Sequence, residues 1–453
     1  MPPEPEPSAE GVAPPVTGAP GGPPGHGVAP APPAQGLRHA VRAFRHRDFA
    51  IFWIGALVSN SGSWLQNLAV PFVIFQVTGS AFWVGLATFS QFIPVMLLGP
   101  IGGSIADGRD RRRVLLVTQS LMALAALLLW VVWVAGVRDP WTLLGLVALS
   151  GVLAGFNIPS WQAFVNDLVP RDDLLSAVTL NSLQFNAARA IGPGVAGVLL
   201  ATLGPAWAFL LNALSFGFVI GALALVRTRP SVADGGRSDE GVMRRFRLAM
   251  RYSRAQTGIA VGISVVALVG ALGNPVFQFT VVFAEDVFEV GPVGLGMLNV
   301  ALGVGAVLVA PLVSGWDAVL SKGVITRWAL LAYGGAIAVF ALAPTYLVGL
   351  LALVVVGAGF LAVVSATNTS TQYIVADHMR GRVMALRVMV FTGSFPLGAL
   401  IQGWLADQIG PRVTLTGAAV LLVALSLVLG ARRDLLVRLD DPHDDAPPPA
   451  REL

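Results

Sequence analysis

Cysteine is absent from this chain of 453 residues, which excludes disulfides, thiolate metal sites and cysteine nucleophiles. Charge is scarce as well. Only 12% of the residues are Asp, Glu, Lys or Arg, about half the fraction found in soluble domains. The five histidines (His26, His39, His46, His378, His443) all lie outside the apolar runs, so none stands at membrane depth to hold a metal or relay a proton. No phosphate loop of the GxxxxGK[ST] type and no Ser–His–Asp constellation occurs, which argues against ATP-driven pumping by this chain alone and against an enzyme. No cofactor is expected. The alternation of a membrane β-barrel is missing too.

What remains is apolar: 55% of the residues are hydrophobic and the mean hydropathy is +0.73. The apolar residues fall into blocks of the length a helix needs to cross a hydrocarbon core of about 30 Å, and backbone polar groups in lipid must be satisfied within the segment. The blocks are 49–76, 81–105, 114–136, 141–167, 174–201 and 206–226, then 257–284, 292–314, 323–343, 346–374, 383–406 and 411–431. These predict an all-α integral membrane protein with twelve transmembrane helices in two six-helix bundles, 48–226 and 257–431. A polar, basic linker (227–256) joins the bundles. Residues 1–47 comprise a Pro/Gly-rich tail expected to be disordered plus a basic lead-in, and 432–453 form a charged tail.

Where the basic residues fall sets the orientation. With the N-terminus in the cytoplasm, Arg138 and Arg412 are external, Arg189 is intramembrane, and the rest of the 29 Lys and Arg are internal. Both termini are therefore expected to be cytoplasmic. The pI near 10.1 reflects this asymmetry rather than nucleic-acid binding. The halves also resemble each other: a shift of 206 residues brings Gly192, Gly197 and Gly204 onto Gly398, Gly403 and Gly410. Two related bundles around a midplane site are the signature of alternating access.

The run "GGSIADGRDRRR" (102–113) joins the second and third blocks. Here the chain resembles the major facilitator superfamily, matching its loop pattern at Gly103, Asp107, Arg111 and Arg112 and departing from it at Gly108 and Asp110. "DRRRVLL", "NIPSWQAFVNDLVP", "AARAIGPGVAG" and "MRGRVMALR…PLGALIQGWLAD" are most similar to the branch of drug antiporters and siderophore exporters related to enterobactin and macrolide efflux proteins. The resemblance covers about residues 38–431. It implies the two-bundle fold of that superfamily and a conformational latch in which Asp107 meets the start of segment 11 at Gly381 in one conformer. A carboxylate is stabilised at a helix N-terminus by about 0.3–1 kcal/mol. Arg111 or Arg112 is expected to pair with Asp167; the plainer reading is that these arginines only enforce orientation.

The resemblance also implies that segments 1, 4, 7 and 10 line a substrate cavity. Each carries polar or aromatic residues at helical spacing: Asn60, Trp64 and Asn67; Asn157 and Trp161; Asn274 and Gln278; Ser365, Asn368 and Gln372. The competing reading is that such residues hold helices together. Arg189, which shares a face with Ser182 and Asn186, is read either as a structural post or as an anion contact, since a buried guanidinium needs a negative partner. Gly192, Pro193 and Gly197 read as close packing in segment 5. For proton coupling the best candidate is Glu285, seven residues beyond Gln278, ahead of Asp286; the alternative is an ordinary solvated helix end. Asp317 reads as an echo of the opening turn.

The expectation is a secondary active exporter of small amphiphilic compounds, with protons as coupling ion, embedded as a monomer among lipids of a bacterial cytoplasmic membrane. A dedicated siderophore or metabolite exporter, a lipid flippase and a non-transporting scaffold remain the alternatives.

Overall fold

The computed structural model describes residues 41–227, 242–316 and 320–441. The N-terminal tail and Asp317 lie outside these. Twelve long helices follow in chain order: α1 (Arg47–Thr78), α2 (Ala81–Gly108), α3 (Arg111–Val134), α4 (Pro140–Asp167), α5 (Leu174–Thr202), α6 (Pro205–Leu225), α7 (Thr257–Val287), α8 (Gly291–Trp316), α9 (Lys322–Leu342), α10 (Tyr346–Ile374), α11 (Asp377–Ile409) and α12 (Pro411–Ala431). Ten are long and apolar enough to cross a bilayer. The other two, α1 and α5, have 32 and 29 residues but interrupt their apolar runs with Asn60, Gln66 and Asn67, and with Asn181, Gln184, Asn186 and Arg189.

Helix ends are set by local chemistry. Asp110 caps α3, accepting from the Arg112 amide at 3.0 Å, and Asp139 caps α4, accepting from the Thr142 amide at 2.8 Å. Asp139 has its carboxyl held below the usual range by the Thr142 hydroxyl and amide. The corners before α6 and α12 repeat one device: Gly204 (φ +81) then Pro205, and Gly410 (φ +88) then Pro411. Glycine supplies the positive φ and proline starts the helix. These corners lie 206 positions apart, the offset at which the two halves match.

Packing follows the same twofold pattern. In the first bundle α1 packs on α5 and α6, α2 on α4, and α3 on α4 and α6; in the second, α8 packs on α10, and α9 on α10 and α12. The bundles meet chiefly through two helix pairs, α2 with α11 and α5 with α8, which exchange under the pseudo-twofold.

Two stretches read as linker and tail are built into the fold. Val242–Ala255 is an amphipathic helix with Ala249 and Tyr252 buried, and the Tyr252 hydroxyl accepts from the Ala376 amide at 3.2 Å. Arg433–Arg438 forms a short helix beyond the expected bundle boundary at 431. Leu436 and Leu439 are buried, and Asp440 accepts from the Lys322 amide at 2.7 Å at the start of α9. At the other terminus, Asp173 accepts from His46 (2.7 Å) and pairs with Arg42 (2.8 Å), tying the lead-in to α5. The His46 hydrogen bond, above all, holds the Asp173 carboxyl below its usual range.

Candidate functional site: a cleft between two bundles

The apolar core shows where the bundles touch. One buried cluster runs through both, containing Phe72, Val84, Phe209, Phe279, Leu298 and Phe340. Toward the end that carries the 2–3 and 4–5 loops, here the basic end, two further clusters stand apart: Phe49, Phe164 and Leu180 in the first bundle, Tyr252, Ile374 and Val383 in the second. The bundles join at the far end and diverge at the basic end.

Glycines make the far-end contact possible. A Cβ on Gly403 would lie 2.6 Å from the Ala81 carbonyl oxygen, and one on Gly85 would strike the backbone of Ala399. Gly197 and Gly296 face each other across α5 and α8, each leaving its would-be Cβ 2.9 Å from the other's Cα. Gly192 likewise leaves room for the Cβ of Trp64, and Pro193 lies in the same interior of α5. Phe92 and Phe395 stack edge to face at 5.2 Å.

A carboxylate closes this end. Asp407, in the last turn of α11, accepts from the amides of Ala81 (2.8 Å) and Phe82 (3.3 Å) and from the Ser80 hydroxyl, at the start of α2. These amides have no partner within the helix, and the helix dipole favours negative charge there.

The expected latch at the basic end is open in this conformer. Asp107 is exposed, with no hydrogen bond or ion pair among the described residues, and a Cβ on either Gly103 or Gly381 would meet nothing within 4 Å. The arginines of this turn serve the first bundle instead. Arg111 Nη1 donates to both oxygens of Asp167 (2.7 and 2.9 Å) and its Nε to the Ala106 carbonyl (3.1 Å), joining α2, α3 and α4. Arg112 pairs with no acid among the described residues; its Nε and Nη2 donate to the last carbonyls of α6, Leu223 (2.6 Å) and Ala224 (2.9 Å).

The expected cavity residues divide. Asn157 is buried between helices, accepting from Thr118 (3.0 Å) and Gln119 (3.1 Å) of α3. Trp161 donates to Asn181 (3.2 Å) and packs on Phe52 at 4.8 Å. Asn157 thus joins α4 to α3, while Trp161, which is half-buried, joins α4 to α1 and α5. Asn67 accepts from Gln91 of α2 at 3.0 Å. Gln372 is exposed near the basic end of α10, while Asn60, Asn274, Gln278 and Ser365 are half-buried.

In α7 the even spacing does not survive. Two widened π-turns, Val269–Gly273 and Phe283–Val287, bracket a short α-helical stretch; their i→i+5 bonds are Asn274 N to Val269 O (2.9 Å) and Phe288 N to Phe283 O (2.8 Å). The first widened turn ends before Asn274, but the second encloses Glu285 and alters the register there, so straight-helix spacing from Gln278 does not fix the face that Glu285 takes. Glu285 is half-buried, with one carboxylate oxygen enclosed and without a hydrogen-bond partner; Asp286 is exposed.

Two arginines lie at depth, not one. Arg387 of α11 is buried and donates to Asn368 (3.1 Å), the Val364 carbonyl (2.9 Å) and Thr367 (3.0 Å). The sequence hid it by its closeness to the block boundary, and it claims Asn368 as a partner. Arg189 has no ion pair or hydrogen bond among the described residues. Its guanidinium lies 5.6 Å from the ring centre of Trp64 (α1) and 5.2 Å from that of Phe277 (α7), contacts worth about 0.5–2 kcal/mol each.

Comparison with known proteins agrees with this architecture. Residues 39–447 match the family described as transmembrane secretion effector. The chain is 26% identical over 393 residues to the staphyloferrin A transporter of Staphylococcus aureus, covering 84% of this chain and 95% of that one. It is 26% identical over 381 residues to the multidrug efflux pump Tap of Mycolicibacterium fortuitum, covering 82% and 92%. Its fold is similar to a bacterial homologue of the human lysosomal transporter Spinster in an inward-facing, unoccupied conformation, with TM-score 0.68 and 13% identity over 90% of this chain and all of that one.

Proposed function

Because the chain belongs to the transmembrane secretion effector family of major facilitator transporters, and so is a membrane transporter rather than an enzyme, we propose that it exports small amphiphilic molecules by proton-coupled alternating access. The observation that carries the export reading is the near end-to-end similarity to proteins named as a siderophore transporter and a multidrug efflux pump. All twelve long helices cross the bilayer, with both termini and the basic end in the cytoplasm. The conformer described above is then inward-open: cargo enters from the cytoplasm or inner leaflet, and the bundles rock about α2/α11 and α5/α8 to release it outside.

Opposed clasps weight the two states. Asp407 on the start of α2 holds the outer end shut; Asp107 on the start of α11 holds the inner end shut after rocking. Since α2 and α11 run antiparallel, each helix lends a carboxylate to the other's N-terminus, at opposite faces of the membrane. The equilibrium moves with whatever binds one state better than the other.

Glu285 is the proton carrier in this reading, because a half-buried carboxylate with an orphaned oxygen gains by protonation what it lacks in partners. The test is efflux from proteoliposomes with and without a pH gradient. Gradient-driven export by the wild type, lost in Glu285→Gln while cargo still binds, is the expected result. Wild-type pH dependence in that variant removes Glu285 from the mechanism, and efflux indifferent to any proton gradient removes proton coupling. The similarity to a staphyloferrin A transporter favours, as second reading, a dedicated exporter of one secreted metabolite.

A further inference from the structure

The geometry points to an anion-selective cargo site in the cleft: Arg189 receives the carboxylate of an aromatic amphiphile, whose apolar body lies along the aromatic side chains of the second bundle. This rests on the export reading and names its substrate class.

Three observations carry it. First, Arg189 has no acidic partner. The described acids of α7 nearest its aromatic neighbour Phe277 are Glu285 and Asp286, eight and nine residues farther along the chain. Trp64 and Phe277 attract the cation through their faces but leave its N–H donors unspent, and a guanidinium has five of these in a planar fork that matches a carboxylate. The other deep arginine, Arg387, differs on this point, since three protein acceptors already engage it. Arg387 keeps only its Nε without a partner, whereas the whole guanidinium fork of Arg189 is left for a ligand.

Second, an aromatic surface continues from the cation into the second bundle. Phe277 lies 5.5 Å from Phe360, and Phe360 lies 6.1 Å from Tyr333 and 6.2 Å from Phe391. Tyr333 tucks against Gly273 at the widened turn of α7, and its buried hydroxyl has no hydrogen-bond partner among the described residues. It is a second donor awaiting an acceptor.

Third, the site straddles the moving parts. Arg189 and Trp64 belong to the first bundle, Phe277, Phe360 and Tyr333 to the second. A ligand bridging the guanidinium and these rings touches both bundles, so its affinity depends on their relative position, which is what coupling cargo to rocking requires. The charge of Arg189 repels a cationic cargo at this point.

The experiment uses the full chain in nanodiscs of phosphatidylcholine and calorimetric titration with matched acid–amide pairs, 2-naphthoate with 2-naphthamide and indole-3-acetate with indole-3-acetamide. The expected result is at least ten-fold tighter binding of each acid. Arg189→Gln removes that preference by weakening the acids to the level of the amides, Arg189→Lys keeps part of it, and Tyr333→Phe reduces it several-fold. Equal affinity for acid and amide in the wild type, no binding of either acid, or an acid preference that survives in Arg189→Gln overturns the proposal. Selectivity that disappears when phosphatidylglycerol replaces phosphatidylcholine assigns the guanidinium to a lipid headgroup and also overturns it. Efflux without charge preference leaves the export reading standing while sinking this one.

Discussion

The two ends of the α2/α11 pair carry the same kind of chemistry in opposite conditions. At the far end, Asp407 of α11 sits on the first amides of α2, and glycines bring the backbones into contact. At the basic end, Asp107 of α2 is exposed and nothing lies near Gly381 of α11. One acid is satisfied and its counterpart waits. Under the proposed mechanism, this difference makes the pair a rocker with a docking point at each end, of which one is closed at a time.

The sharpest way to break the comparison is steric. Gly85→Leu places a branched side chain against the Ala399 backbone, where even a Cβ has no room. The far end then cannot close, and efflux is expected to fall at least ten-fold, with the protein still folded by size-exclusion chromatography. Efflux at the wild-type level would show that this contact is not needed for turnover. Next in size is the pair that makes the first bundle rigid. Arg111 and Asp167 have side chains only 11% and 15% exposed, and removing one member of a buried pair costs about 3–5 kcal/mol. Asp167→Asn should therefore lower the thermal unfolding temperature in detergent far more than Asp107→Asn, whose exposed side chain makes no hydrogen bond or ion pair among the described residues. Equal shifts would contradict the division between a structural arginine pair and a free gating acid.

The fold was legible because its determinants are local. Block length, the Gly-Pro corners at 204–205 and 410–411 and the caps at Asp110 and Asp139 depend on neighbouring residues, and the observed helices begin and end within a few residues of the apolar blocks. The site was legible only in part. Arg111 and Asp167 were readable as a pair because the loop motif and an acid at the end of a helix point to each other. The partners of Asn157 and Trp161 were not readable because the sequence does not say which face of α4 meets α3, α1 and α5. Glu285 was assigned a face by straight-helix spacing from Gln278, which the π-turn at Phe283–Val287 alters. Asp407 and its partners lie 326 residues apart in the chain, so nothing local marks the contact. Asp107 differs again: the proposed mechanism assigns its docking to the other state.

The smallest expected effect is also the most telling. Losing the Asp407 charge from the α2 N-terminus removes about 2 kcal/mol from one state, roughly thirty-fold in a two-state equilibrium. The cysteine-free background permits clean spin labelling at exposed sites, Gln76 with Gln408 across the far end and Ser104 with His378 across the basic end. Pulsed electron–electron distance measurements should give short far-end and long basic-end distances in the wild type, a shift toward the reverse in Asp407→Asn, the opposite shift in Asp107→Asn, and near-restoration in the double variant. Distance distributions unmoved by either substitution would contradict the account.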